Sequence, residues 1–304
     1  MKRVLLIIAL MAAGCGNSAT PGKGFLLTFA PPDSINYHAE VLSVRARVIG
    51  TDTVAVDTSW STTTHDMEKT PEGYVVHSRT DSMWVKRDGK IINDPIVNLF
   101  STGKFTHLIN PDGQVRDIQG YDELFQKLDT ILGPETAAGV RKNINPANLR
   151  ERDMEEWNNR MGRYAGHEMF LNNPHYDTTA IQVPTGGSLT AFEVSELQDT
   201  VRIDTALCAV IRVSMHTDPR QLANLVGSSP SDMVKTFKVS DSTLNALDQG
   251  MVSAMMQSTW VVAINTMLSH SYVQKRVIQL KSGMAGPNSQ PAAMVELQSK
   301  KYTY

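Results

Sequence analysis

Tyr74-Val75-Val76-His77-Ser78-Arg79-Thr80-Asp81-Ser82-Met83-Trp84-Val85 is the stretch that decides the fold class. Tyr74, Val76, Ser78, Thr80, Ser82 and Trp84 fall on one side of an extended chain, and Val75, His77, Arg79, Asp81, Met83 and Val85 on the other. That alternation, rich in β-branched and aromatic residues, predicts a strand. Thr70-Pro71-Glu72-Gly73 precedes it as a turn and Asp88-Gly89 follows as another. Upstream, Ile35 to Ile49 and Thr53 to Met67 carry the same period, the second with Val54, Val56, Thr58 and Trp60 on one face. A typical strand has about five or six residues. Three consecutive antiparallel strands of twice that length predict a coiled sheet or an open barrel.

Downstream, Lys104 to Ile109 and Gln114 to Gln119 flank Asn110-Pro111-Asp112-Gly113, which predicts a tight hairpin: Pro suits the first central turn position and Gly accepts positive φ. The period then becomes helical. Tyr121 to Leu132 puts Leu124, Phe125, Leu128, Ile131 and Leu132 on one stripe and stops at Gly133-Pro134. A second helix runs from Pro134 to about Lys142, and a third starts with Asn145 as N-cap and Pro146 at its first position. Asn172 to Gly187 reads as a loop with at most a short strand around Ile181. Ser188 to Gln198 and Thr200 to His216 then form a hairpin turning at Asp199. Helices are expected at Pro219 to Val226 and Ser242 to Met256, and strands at Thr259 to His270, Tyr272 to Lys281 and Ala293 to Tyr302. The class is α+β, a long antiparallel curved sheet or open half-barrel with helices packed on one face. The order fits one continuous sheet or two similar halves, 25–162 and 163–304.

The N-terminus carries an address. Met1-Lys2-Arg3 is basic, Val4 to Met11 is a short apolar run, and Ala12-Ala13-Gly14 precede Cys15. These are the parts of a secretory signal, and the run is too short to span a membrane, which takes about 20 apolar residues. Ala12-Ala13-Gly14-Cys15 resembles the lipobox of bacterial lipoproteins, with Ala in place of the usual Leu. The resemblance implies that residues 1–14 are removed, that Cys15 carries lipid, and that residues 15–24 are a tether ahead of a body from 25 to 304. Gly16, where that family's inner-membrane retention signal would be Asp, implies the outer membrane. Several acyl chains on one residue hold stably, at about 0.8 kcal/mol per buried methylene.

The 304-residue chain has 29 Lys and Arg against 31 Asp and Glu, a net charge of -2. Losing Lys2 and Arg3 makes it -4. Nothing there concentrates the basic surface that nucleic-acid binding needs. Of the two cysteines, Cys208 has no intramolecular partner if Cys15 is acylated, and its apolar setting, Thr205 to Val210, predicts a small buried hydrophobe.

Catalytic signatures are absent: there is no Gly-x-Ser-x-Gly elbow, Walker loop, dinucleotide fingerprint or zincin helix, and no cofactor is expected. Ser101-Thr102-Gly103-Lys104 has the bare Ser-x-x-Lys spacing, but Gly103 and the following strand deny it a helix. His167, Glu168, His175 and Asp177 put four possible divalent-metal ligands within eleven residues, without the helical spacing of known sites. Among fifteen methionines, Met251, Met255 and Met256 share the apolar side of the expected helix, near Met233, Met267 and Met284 in a possible adaptable surface for hydrophobic ligands; core filling is the competing reading.

At the level of element order and export address, residues 25 to 304 resemble the periplasmic lipoprotein-carrier half-barrels. That resemblance implies a lipid-anchored protein facing the periplasm that binds or carries a hydrophobic ligand or partner segment, without catalysis. The alternatives are a structural or assembly lipoprotein acting through another envelope protein, and a metal-dependent hydrolase at His167 to Asp177.

Overall fold

The computed structural model describes residues 23–93, 95–143, 145–182, 188–217, 252–280 and 292–304. The expected signal segment and Cys15, the expected helix at 219–226 and Met251 lie outside them.

Fourteen strands and four α-helices are described. The strands are β1 (Gly24–Leu26), β2 (Ser34–Ile49), β3 (Asp52–Thr70), β4 (Gly73–Arg87), β5 (Lys90–Ile91), β6 (Lys104–Ile109), β7 (Val115–Gln119), β8 (Glu168–Phe170), β9 (His175–Gln182), β10 (Ser188–Ile203), β11 (Ala206–Thr217), β12 (Val252–Ala263), β13 (Ser269–Leu280) and β14 (Ala292–Thr303). The helices are α1 (Pro95–Phe100), α2 (Tyr121–Leu132), α3 (Pro134–Asn143) and α4 (Pro146–Trp157), the last continuing into a π-helical turn at Asn158–Gly162.

Twelve strands make one antiparallel sheet in the order β7-β6-β4-β3-β2-β14-β13-β12-β11-β10-β9, with β5 beside β4; β1 and β8 form a separate pair. The path is a meander entered in the middle. From β2 the chain folds outward to one edge at β7, crosses as α2, α3 and α4 to the opposite edge at β9, and folds back inward to β14. There β14 pairs with β2 from Ala292 opposite Ile49 to Thr303 opposite His38, so the chain's two ends close a single sheet.

The crossover shows how strongly that sheet is curled. Laid flat, eleven strands in a row would separate β7 from β9 by about 48 Å at ~4.8 Å per strand. Yet Asn158 and Arg163, about 8 Å apart along a helix, touch both edges. The Asn158 side chain accepts from the Val115 N–H (2.7 Å) and donates to the Val115 carbonyl (3.1 Å), taking the place of a neighbouring strand beside β7. Trp157 Nε1 donates to the Gly113 carbonyl in the β6–β7 turn (2.9 Å). Arg163 donates to Asp177 on β9 and Glu193 on β10, each at 2.7 Å. An open barrel whose gap is bridged by one helical turn meets all these contacts.

The core lies between the crossover and the lower half of the sheet, the end carrying Tyr37, Met67, Val76, Ile109, Ile211 and Trp260, all of them buried. A smaller cluster of Leu99, Leu124, Phe125, Leu128 and Ala137 joins α1, α2 and α3. Of the stripe expected on α2, Leu124, Phe125 and Leu128 are buried together with Tyr121, while Ile131 is exposed; the Asn145 side chain accepts from the Ala147 N–H beside Pro146. Cys208 is a free, buried cysteine.

Four expectations need correcting. Residues 175–182 are an edge strand and not loop; polar alternation hid it, because one margin of an edge strand faces solvent. The β10–β11 turn is at Asp204, with φ of 51°, and the register only slips between Leu197 and Asp199, where Asp199 accepts from the Thr200 N–H. Residues 252–256 begin β12 instead of ending a helix; their neighbours 242–251 are not described. The next turn lies at Ile264 to Leu268, ahead of the expected His270, and Met267 takes φ of 55° there.

The Arg163–Glu193 pair yields a stability prediction. Glu193 is 2% exposed, and burial raises its carboxyl pKa against the opposing pull of Arg163. Arg163→Met should cost about 3 kcal/mol by stranding Glu193, and adding Glu193→Gln should recover much of it. Urea unfolding midpoints measure both. Equal loss in the single and double variants would show that the pair is not the hinge of the closure.

Candidate functional site

The long strands have two different halves. In the lower half the helix-covered face is packed under the crossover, and the opposite face is polar. Thr64 Oγ1 donates to Asp81 Oδ2 (2.5 Å) and stands 3.0 Å from His38 Nδ1, Arg79 Nε donates to Asp81 Oδ1, and Asn36 bonds Asp66. This is the ordinary division between a core side and a wet side.

In the upper half the division reverses. No described helix covers it. On the helix side of the sheet charged and polar residues stand among apolar ones: Glu296 lies between Arg45 (3.2 Å) and Arg276 (3.8 Å), Gln274 donates to Met256 Sδ, and Ile278 and Met294 share that side. The opposite face carries an apolar patch, richest on β2, β3, β4 and β14 and interrupted toward β11 and β12 by Lys275, Gln257 and Ser214. Register places Leu42 opposite Trp60 and Trp60 opposite Trp84, and Val44 opposite Leu297. Val295 lies opposite Val277, and Val277 opposite Met255. The two tryptophans stack with ring centres 6.1 Å apart; Glu40 accepts from Trp60 Nε1 (2.7 Å) and Lys86 Nζ stands 4.7 Å over Trp84. Leu42, Val273, Leu297, Phe192 and Tyr176 on this face are between 39% and 72% exposed. An isolated exposed Leu needs no explanation, but apolar residues adjoining across many strands do.

Beneath the crossover the space is filled. The cavity there, between Tyr37, Met67, Arg160, Met161, Met267 and Tyr302, is about 30 Å³, room for about one water. Among the described residues, this cavity is too small to enclose an acyl chain. Tyr37 on this lining belongs to a row of polar groups under the crossover. His65 stacks on Tyr37 with ring centres 4.6 Å apart and bonds Ser78 Oγ at 2.8 Å. Burial, with His107 nearby, pushes the His65 pKa down to about 3, and burial lowers His107 as well. The Tyr37 phenol is pushed up by burial. Lys300, bonded at 2.9 Å, holds the Glu156 carboxyl down to about 2, with help from Arg160.

The residues singled out in the sequence do not converge. Met255 and Met256 are neighbours on β12 and point to opposite faces: Met256 lies opposite Met215 on the helix side, and Met255 lies opposite His216 on the apolar side. They cannot line one surface. His167 precedes β8, where Glu168 pairs with Leu26, while His175 and Asp177 are on β9 and Asp177 is taken by Arg163. Among the described residues no group of three or more His, Cys, Asp or Glu is placed to hold a metal. Ser101 caps the Asn98 carbonyl at the end of α1, and Lys104 opens β6. The Trp60–Trp84 pair and Arg160 were the residues missed. The first was legible in principle, since Leu42, Val44 and Ala46 alternate with the residues of the other face just as the lower core does.

No protein-family model and no curated protein sequence matches the chain. Among solved structures it is similar to lipovitellin, in a study of that protein's lipid–protein interactions, at 10% identity and a TM-score of 0.45. That match covers 91% of this chain, which spans a quarter of the lipovitellin chain. Two further structures are less similar, the first an outer membrane protein. The Vibrio cholerae OmpT lacking loop L8 has 8% identity, a TM-score of 0.20 and coverage of 90% of this chain and 100% of its own. OccK5 of Pseudomonas aeruginosa has 6% identity, a TM-score of 0.20 and coverage of 91% and 100%. Likenesses this distant say nothing about function.

The histidines predict an acid sensitivity. A His held near 3 in the fold and near 6.5 in the unfolded chain leaves the unfolded state with more bound protons between those values. Its share of stability is complete above about pH 6.5 and is lost as pH falls, at about 1.4 kcal/mol per pH unit. Glu156 adds to the loss only below about 4.5. His65→Phe keeps the stacking on Tyr37 and should flatten the dependence of unfolding free energy between pH 6.5 and 4.5. An unchanged slope in that variant would rule out His65 as its source.

Proposed function

We propose that this chain is an exported, lipid-anchored envelope protein facing the periplasm, which binds a hydrophobic ligand or partner through the uncovered half of its sheet and performs no catalysis. The observation that carries the reading is the reversal of faces. The lower half is filled and wet outside, while the upper half displays Leu42, Trp60, Trp84, Val273 and Leu297 to solvent. The lipobox-like Ala12 to Cys15 supports the anchor, and the outer membrane is the destination that Gly16 favours.

Tryptophan with lysine at the margin of an apolar surface suits the boundary between water and hydrocarbon, where the rings bury their bodies and the ammonium groups remain wet. Lys86 beside Trp84 and Lys275 opposite Leu297 provide that margin. No helix among the described residues is long and apolar enough to cross a membrane. Contact through the sheet face and the lipid on Cys15 would act together.

A protein partner on the same face is the second reading. The exposed apolar surface favours it as much as a lipid does, and in-envelope cross-linking separates them: one reproducible partner with no co-purified lipid selects the assembly lipoprotein. The metal-dependent hydrolase loses support with its dispersed ligands.

The test uses the full chain made in a bacterial host, with mass spectrometry for acylation of Cys15 and for co-purified lipid. Leu42→Asp with Leu297→Asp should weaken sedimentation with phospholipid vesicles about tenfold or more in a Cys15→Ala background, taking about 1 kcal/mol for each half-buried leucine. Unaltered vesicle binding would reject the sheet face as the contact. Lack of acylation in wild type would reject the anchor alone.

A further inference from the structure

Arg160 sits in the π-helical turn that bridges the barrel gap, the position from which a side chain reaches furthest into the core. Its guanidinium stacks over Tyr272, with the central carbon 5.0 Å from the ring centre, so one planar face is occupied. The rim is not. Nε and Nη1 are out of contact with solvent and have no hydrogen-bond partner among the described residues. Glu156, the carboxylate whose charge acts on Arg160, is committed to Lys300. Two cations against one carboxylate leave a surplus positive charge at this point.

A guanidinium cannot discard its proton when buried, unlike a lysine or a histidine. The usual economy of protein interiors, in which buried polar groups find partners, is therefore broken here with no neutral form to fall back on. The unpartnered nitrogens belong to a residue that lines the small cavity, whose other walls include Phe29, Met67, Met267 and Leu268. At about 30 Å³ it has room for about one water beside the guanidinium, so a carboxylate enters by displacing that volume and shifting the side chains around it. Trp157 is on the same lining, and the Tyr304 hydroxyl is turned away to the Ser269 carbonyl.

We propose that Arg160 is an anion-binding residue that receives the carboxylate of a small or amphiphilic ligand in this cleft. The carboxylate oxygens accept from the guanidinium N–H groups, in a charge-assisted pair that burial strengthens. A single cation among apolar walls and the phenols of Tyr37 and Tyr302 matches an amphiphile's carboxylate end. The site is separate from the exposed apolar face and does not depend on it: it lies on the filled half of the sheet, behind the crossover.

Thermal unfolding of the full chain with sodium dodecanoate, dodecanol or sodium acetate tests this. Stabilisation by dodecanoate and not by acetate assigns the site to an amphiphile, and stabilisation by both assigns it to free small carboxylates. Stabilisation by neither, or equal stabilisation by dodecanol, overturns the proposal. Arg160→Met should weaken dodecanoate binding at least tenfold, with Arg160→Lys between. As the Met variant could unfold, a measurement on the native side chain stands beside it: 2-bromododecanoate should quench the fluorescence of Trp157, and Trp157→Phe should remove that quenching. Quenching that survives Trp157→Phe would place the ligand elsewhere and also overturn the assignment.

Discussion

The contact of one helical turn with both margins of the sheet is the constraint on which the rest of the molecule depends. A strand edge presents unpaired N–H and C=O groups and invites other chains to pair with it. At β7 the Asn158 amide satisfies the Val115 groups, and at β9 and β10 the Arg163 guanidinium gathers two carboxylates. Both devices use side chains from a single turn, so the edges must come close before either can form. Curling the sheet, covering the lower core and protecting the edges are one event.

The meander explains why that turn can be decisive. Apart from the short β5, every strand of the sheet pairs with the strand before or after it along the chain, except where β14 returns to β2. The seam is long, reaching from Thr303 to Ala292, and its lower end brings Tyr302 beside Ala39, near Tyr37. The tyrosine and histidine row under the crossover therefore draws on both ends of the chain. A group such as His65 stays neutral there because charge on it would be placed in a space with no water to receive it.

Much of this architecture was legible in the sequence where a local rule decides it. The strand from Tyr74 to Val85, the Asn110 to Gly113 turn and the Asn145-Pro146 start of α4 each depend on neighbours in the chain and formed as expected, except that a register slip at Asp81 breaks the period of two and turns Ser82 and Trp84 to the face opposite Val76. What stayed hidden depends on distant partners. β9 alternates weakly because its outer margin is water, and its identity comes from pairing with β10. Residues 252–256 are apolar enough for a helix or a strand, and only β11 and β13 on either side choose between them. The candidate site suffered most. Met255 and Met256 share a side at helical spacing and part at strand spacing, so one error of period dissolved the surface they were meant to build. Arg160 drew no reading from the sequence because nothing local reports that its turn is inserted into a barrel.

Strand length finally separates what holds the fold from what is left free to bind. Sixteen residues of β2 extend about 54 Å at ~3.4 Å per residue, whereas the twelve residues of α4 cover about 18 Å. Strands needed only for the core could stop near Val41, where the covered face ends. They continue instead through Leu42, Val44 and Ala46, and β3, β4, β13 and β14 continue with them, placing apolar residues on the face opposite the helices. Carrying five long strands past the core exposes apolar surface that a self-contained fold would omit, at a cost of about 25 cal/mol for each Å² left in water. A binding surface gives that cost a physical purpose: the filled lower half fixes the curvature of the sheet, and the rigid extension holds the apolar face in a set shape before its partner arrives, so that little ordering remains to oppose association.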